Sequence, residues 1–172
     1  MKFIDLKAQQ ERIRDLIETN IKKVLDHGRY IMGPEIKELE ECLAQYAGTS
    51  YAVSVASGTD ALLISLMAQG VGPGDAVITT PFTFIATGEV IQLLGATPVF
   101  VDIEPDTFNI DYRKIEEAIT RVTAKGELTP RGIIPVDIFG QAADYDEIET
   151  ISAKHNLFVL QDAAQSFGAT YR

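Results

Sequence analysis

Several residue types and segments are scarce in these 172 residues, and each scarcity excludes a class of protein. The single cysteine, Cys42, cannot form a disulfide within the chain. It stands among helically spaced apolar residues, a pattern that predicts a small buried side chain. No apolar run approaches the roughly 20 residues that cross a membrane, and the charged opening segment has no signal-peptide core. These absences favour a cytoplasmic protein without a membrane partner.

Basic residues are outnumbered by acidic ones, 15 to 25, which gives a formal net charge of −10. Such an excess argues against non-specific binding of nucleic acid. It leaves an anionic ligand open, because backbone N–H groups at the start of a helix bind phosphate on an acidic protein. The glycine patterns of dinucleotide-binding domains and of P-loops are both missing, which disfavours a doubly wound nucleotide-binding domain. No metal site is predicted.

Apolar periodicity predicts helices that alternate with short strands from about residue 51 onward. The helices are expected at 8–27, 34–46, from 58, and at 84–94, 112–122 and 144–154. The strands are expected at Tyr51–Val55, Ala76–Thr80, Thr97–Val101, Gly132–Asp137 and Leu157–Leu160. Strands that are apolar on both faces and separated by helices are typical of a parallel sheet covered on both sides. We therefore predict an α/β fold, a three-layer sandwich with a mostly parallel sheet. Ligands of such sheets bind beyond the carboxyl ends of the strands.

Small and hydroxyl residues follow the first predicted strand, where a helix is expected to begin. Ser57, Gly58 and Thr59 combine free backbone N–H groups, close backbone approach and hydroxyl donors, which together indicate a phosphate site. The alternative is an ordinary helix cap, in which Ser57 or Thr59 accepts a hydrogen bond from the first turn.

Two further features stand at predicted strand ends. Phe82 and Phe84 follow the second strand, where an aromatic ring could stack on a flat ligand or simply belong to the core. Asp162 follows the apolar run Leu157–Leu160, where a carboxylate is costly unless it has a partner. That partner is either a helix N-terminus or a cationic ring nitrogen, such as the pyridinium of pyridoxal phosphate (PLP). A phosphate site, an aromatic ring and a buried carboxylate at one sheet edge would suit a phosphorylated pyridine.

Several ordered motifs resemble the DegT/DnrJ/EryC1/StrS family of PLP-dependent sugar aminotransferases. The motifs are Phe3–Leu6, Gly33-Pro34-Glu35, Ser57–Leu62, Gly72–Asp75, Thr80–Thr87, Pro98–Asp102, Thr107–Asp111 and Asp162–Gly168. The resemblance implies the large domain of a fold type I PLP transferase, incomplete here. On this view residues 1–172 form the N-terminal segment and most of that domain, without the small C-terminal domain.

The resemblance also implies residue roles. Gly58 and Thr59, beside Ser57, bind the cofactor phosphate. Phe84 stacks on the pyridine ring, Asp162 pairs with its nitrogen, and Gln165 hydrogen-bonds the ring hydroxyl oxygen. The family's Schiff-base lysine is expected beyond the residues at hand, so this chain alone would be inactive.

The implied reaction moves an amino group, commonly from glutamate, to a keto group on a nucleotide-diphosphate sugar for polysaccharide or related amino-sugar biosynthesis. The Phe3–Leu6 and Gly28–Pro34 segments look most like enzymes acting on a UDP-linked 3-oxo-N-acetylglucosaminuronate. A homodimer of the intact protein is implied too. Two alternatives stay open within the fold: a sugar dehydratase with histidine in place of the lysine, and a non-catalytic regulatory relative.

Overall fold

A computed structural model describes residues 4–171, in which the chain divides into two compact units, Met1–Ser54 and Val55–Arg172. Of the motifs above, Phe3 lies outside the described residues. The helices are α1 (Leu6–His27), α2 (Pro34–Ala47), α3 (Gly58–Ala68), α4 (Ala86–Leu93), α5 (Ile115–Lys125) and α6 (Tyr145–His155). The strands are β1 (Asp75–Thr79), β2 (Thr97–Phe100), β3 (Thr129–Ile134) and β4 (Phe158–Val159). Short 3₁₀ helices cover Tyr112–Lys114 and Ile138–Gly140.

The first unit consists of α1 and α2, whose ends follow local rules. The Asp5 carboxylate caps α1 by accepting a hydrogen bond from the Ala8 amide at 3.1 Å. Gly28 and Gly48, both in the left-handed conformation, end the two helices. The predicted burial of Cys42 is wrong, because this side chain is exposed on α2.

The second unit is built on a parallel sheet with the strand order β2-β1-β3-β4. Neighbouring residues of one strand face opposite sides, so Ile78 and Ile133 join one core cluster while Val77 and Ile134 join the other. The first cluster packs under α5 and α6, and the second under α3 and α4. The predicted α/β fold with three layers is therefore confirmed.

Close contact between β3 and β4 depends on one glycine. The Gly132 Cα faces the ring of Phe158, and a Cβ on residue 132 would overlap that ring. These two residues are also partners in the strand register. Any larger residue at 132 would push the edge strand β4 away from the sheet.

The predicted strand Tyr51–Val55 is wrong, because no strand forms there. Its backbone is instead held locally: the Tyr51 carbonyl accepts from the Thr49 hydroxyl, and the Ser54 amide donates to Glu40 at 2.7 Å. A strand is stable only beside another strand that completes its hydrogen bonds. Within residues 4–171 no neighbouring strand reaches this segment.

Candidate functional site

The start of α3 lies toward the carboxyl edge of the sheet. The end of α3 is followed after a tight turn by β1, with the Gly72 amide bound to the Asp75 carboxylate at 3.0 Å. Leu62 and Leu66 of α3 pack on the sheet with Val77 and Ile134. The helix therefore runs back along β1, and its N-terminus reaches the edge where the strands end.

This N-terminus combines a cap with unused donors. The Ser57 hydroxyl oxygen accepts from the Asp60 amide at 3.1 Å, so the predicted cap is present. The amides of Gly58 and Thr59 have no acceptor in the described part of the chain. A Cβ placed on Gly58 would meet nothing within 4 Å. Two N–H groups without an acceptor at the positive end of a helix suit an anion.

Asp162 stands at the same edge, after β4. Its backbone forms a parallel bridge to Val136, with the Asp162 amide donating to the Pro135 carbonyl at 3.0 Å. Oδ2 accepts from the Thr87 hydroxyl at 3.0 Å, and Oδ1 accepts from the Ala164 amide at 3.3 Å. Among the described residues the half-buried carboxylate has no cationic partner. It retains lone pairs for a donor from outside the chain.

A chain of hydroxyls fixes the carboxylate from the side of α4. Thr87 is fully buried and lies 3.0 Å from Thr83, oxygen to oxygen. Because Thr87 donates to Asp162, its oxygen accepts from Thr83. Sequence reasoning missed Thr87, although it ends a motif noted there, and its spacing of four from Thr83 on a helical pattern could have revealed it.

Gln165 lies three residues beyond Asp162 and is exposed. Its Oε1 accepts from the Phe139 amide at 2.7 Å, which orients the side-chain amide. Its Nε2 has no acceptor within residues 4–171 and remains free to donate. One loop therefore presents a carboxylate acceptor and an amide donor together.

The aromatic side chains at this edge differ from the expectation. Phe82, Phe108 and Phe139 form a cluster with ring centroids 5.6 to 6.1 Å apart. Phe84 is 73% exposed and contacts no other ring in the described part of the chain. The core alternative is thus wrong for Phe84, and its stacking on a ligand ring stays a prediction.

Asp137 is a second functional candidate that sequence reasoning passed over. It follows β3, its side chain is fully buried, and it accepts hydrogen bonds from four groups. One of them is the Tyr145 hydroxyl, at 2.8 Å. Burial, then the hydrogen bond and charge of Asp137, raise the pKa of Tyr145 well above its ordinary value. The carboxylate after an apolar run was the available signal, the same one that pointed to Asp162.

Comparison with known proteins decides the family. The DegT/DnrJ/EryC1/StrS aminotransferase family matches residues 11–172. The chain belongs to this family. A relative from Pseudomonas aeruginosa, UDP-2-acetamido-2-deoxy-3-oxo-D-glucuronate aminotransferase, is 54% identical over 172 residues, which are 100% of this chain and 46% of that protein. The chain thus spans about half the length of the curated relatives it matches.

Other members of the DegT/DnrJ/EryC1/StrS family extend the comparison. The "Pleiotropic regulatory protein" of Geobacillus stearothermophilus is 44% identical over 169 residues, 98% of this chain and 44% of the relative. The crystal structure of a family aminotransferase from Brucella abortus superposes with a TM-score of 0.94 and 49% identity, over 96% of this chain and 44% of the other. The structure of NtdA from Bacillus subtilis, with bound cofactor PMP, gives a TM-score of 0.84 and 37% identity, over 93% of this chain and 35% of the other.

These findings confirm the family resemblance and the fold type I architecture, and the cofactor of the family is PLP. The donor set of this chain fits that group. The amides of Gly58 and Thr59, which have no acceptor among the described residues, suit a phosphate. Asp162, whose partners there are all neutral, suits a ring N–H, and Gln165 has a free amide N–H for a ring oxygen. Within residues 4–171 no helix is long and apolar enough to cross a membrane.

Proposed function

We propose that the intact protein is a PLP-dependent aminotransferase that aminates a keto group on a nucleotide-diphosphate sugar, and that this chain supplies most of its cofactor site. The observation that carries the proposal is Asp162, a half-buried carboxylate at a strand end whose partners are all neutral. A carboxylate that has lost part of its hydration and keeps unused lone pairs can accept from a cationic donor outside the described residues. A protonated pyridine nitrogen is such a donor.

Each predicted site residue has a role in this proposal. The amides of Gly58 and Thr59 hold the phosphate, with Ser57 keeping the helix start in place. Phe84 covers one face of the ring. Asp162 keeps the ring nitrogen protonated, and Gln165 donates to the ring hydroxyl oxygen. When bound, PLP supplies an electron sink for the electron pair released at the donor's α-carbon.

The parts of the intact protein outside this chain are proposed from the share of its relatives' length that the chain covers. Since the chain spans 46% of the Pseudomonas relative, we assign residues 1–172 to the N-terminal segment and most of the large domain. The Schiff-base lysine and the small domain would then lie in further sequence. We further propose that the intact protein is a cytoplasmic homodimer. It would use glutamate as donor, act on a UDP-linked 3-oxo-glucuronate sugar and serve polysaccharide biosynthesis. The name of the Pseudomonas aeruginosa relative supports this choice of sugar substrate.

The test uses the intact protein and follows the absorbance of bound cofactor. Glutamate should convert the PLP spectrum to that of PMP, and the UDP-linked 3-keto sugar should restore it. Asp162→Asn should lower kcat by about 10²- to 10³-fold, the usual loss when one electrostatic contact is removed. Asp106→Asn, the same change on an exposed loop, should leave kcat within about twofold.

A regulatory role is the second candidate, and the name of the Geobacillus relative favours it. A regulatory protein of this fold could retain the cofactor site and lack turnover. Full-length protein that binds PLP but leaves it unchanged with glutamate and keto-sugar would favour this reading. Absence of bound PLP at saturating concentration would contradict both candidates.

A further inference from the structure

The buried carboxylate of Asp137 joins two segments of the second unit. Oδ1 accepts from the Ala143 amide at 3.0 Å and from the Tyr145 hydroxyl at 2.8 Å. Oδ2 accepts from Gln161 Nε2 at 2.5 Å and from the Ser166 hydroxyl at 2.8 Å. One oxygen therefore binds the segment that begins α6, and the other binds the loop after β4.

That loop is the one that carries Asp162 and Gln165. Gln161 and Ser166 flank the two proposed cofactor ligands, so Asp137 holds the loop at both ends. Its own amide donates to the Asp162 carbonyl at 3.1 Å. The four groups that donate to the Asp137 carboxylate are all neutral, and the side chain is fully buried, so the geometry is closely constrained.

We propose that Asp137 is a positioning residue that fixes loop 161–166, and through it the Asp162 carboxylate and the Gln165 amide, against the cofactor ring. The inference rests on the proposed roles of Asp162 and Gln165. Asp137 touches neither cofactor nor substrate in this account. Displacement of a ligand by about 1 Å is enough to lower catalysis strongly, so the restraint matters for function as well as stability.

Two serines offer a matched test of this role. Ser166 and Ser152 are each 7% exposed. Ser166 donates to Asp137 at 2.8 Å, whereas Ser152 donates to the Glu149 carbonyl at 2.9 Å within α6. Ser166→Ala and Ser152→Ala therefore remove similar buried hydroxyl bonds, but only the first loosens the loop.

The experiment compares both variants with wild type in the intact protein. The readouts are the Kd for PLP and the pH titration of the bound cofactor's absorbance. Ser166→Ala should weaken PLP binding about 10-fold and shift the titration, because the Asp162 carboxylate no longer faces the ring in one position. Ser152→Ala should leave Kd within about twofold and the titration unchanged, whatever it does to Tm. Equal behaviour of the two variants in both readouts would overturn the inference.

A second variant guards against misfolding. Gln161 is exposed, so Gln161→Ala removes the other loop-side donor without opening a core cavity, and it should change the same readouts in the same direction. Asp162→Asn distinguishes failure of the positioning role from failure of the proposed function. If Asp162→Asn disturbs the titration while Gln161→Ala and Ser166→Ala do not, only the positioning role fails. If wild type binds no PLP, the proposed function itself fails.

Discussion

The two units of this chain contrast in how their helices and strands are stabilised. In the first, α1 buries none of its residues and α2 buries only Ala44. In the second, two clusters of Ile, Val, Leu and Ala fill both faces of the sheet. Helices of the first unit follow from local caps and spacing, whereas the second unit depends on contacts between distant segments. The contrast teaches that a clear local pattern does not ensure a buried face.

The largest expected effect on stability comes from removing a buried apolar side chain of the second unit, and an exposed apolar side chain of the first unit is its comparison. Ile133 of β3 is fully buried, and Ile133→Ala should lower the free energy of unfolding by about 2–5 kcal/mol because it leaves a cavity. Leu16 of α1 is 62% exposed, and Leu16→Ala should change it by less than about 0.5 kcal/mol. Urea unfolding of the 172-residue chain, followed by circular dichroism, measures both. Equal costs would show that α1 has a buried face in solution.

A cap exchange compares the first turns of α1 and α3. Asp5 and Ser57 cap these helices with hydrogen bonds of 3.1 Å, and Asp and Ser are caps of equal rank. Ser57→Asp should therefore keep α3 intact but place a negative charge beside the proposed phosphate. PLP affinity of the intact protein should fall about 10- to 100-fold, since like charges at close range repel. Asp5→Ser is the control and should leave PLP titrations unchanged. Unaltered affinity in Ser57→Asp would leave Ser57 as a cap alone.

Tyr145 of the second unit should make stability depend on pH in alkali. The raised pKa of Tyr145 means that the folded state retains a proton that the unfolded state releases above about pH 10. This stabilisation is present below that pH and is lost as pH rises further. Tyr145→Phe should cost about 1.5 kcal/mol near neutral pH and should make stability fall less steeply in alkali. Tyr30→Phe, on a ring 67% exposed in the first unit, is the control and should leave the free energy of unfolding near neutral pH within about 0.5 kcal/mol of wild type in the same urea titrations.

The smallest expected effect concerns ion pairs. Burial acts to raise the pKa of Asp111, but the hydrogen bond and charge of Arg113 outweigh it and lower that pKa below its ordinary value. The stability from this pair is present above about pH 4 and is lost as pH falls. Arg113→Met should move acid unfolding to higher pH. Arg14→Met breaks an exposed pair with Glu18 in α1 and should not move it. Ellipticity measured during acid titration gives the pH of unfolding. If that pH rises in both variants, the two ion pairs do not differ in the way proposed.

Local signals predicted much of the fold, and distant contacts account for most misses. The helix ends at Gly28 and Gly48 follow from glycine alone. The strand β3 begins at Thr129 rather than Gly132 because Thr129 and Pro130 already pair with Asp75 and Ala76 of β1. The segment Tyr51–Val55 has the composition of a strand but no neighbouring strand within residues 4–171.

Some residues of the candidate site could be predicted from the sequence, and others could not. Asp162 could be named because the motif and the strand end coincide, and Gln165 because the family resemblance implies its role. Asp137 carries the same sequence signal as Asp162, yet only the packing of loop 161–166 against it shows which carboxylate is fully buried. Cys42 fits an apolar spacing, but its side chain is exposed.

The central claim, that Asp162 keeps a pyridine nitrogen protonated, has one direct measurement. Intact protein loaded with ¹⁵N-labelled PLP would be examined by NMR across neutral pH, as wild type and as Asp162→Asn. The account predicts a protonated-nitrogen chemical shift in wild type that changes to the neutral value in the variant. A neutral ring nitrogen in wild type, or the same shift in both proteins, would contradict it.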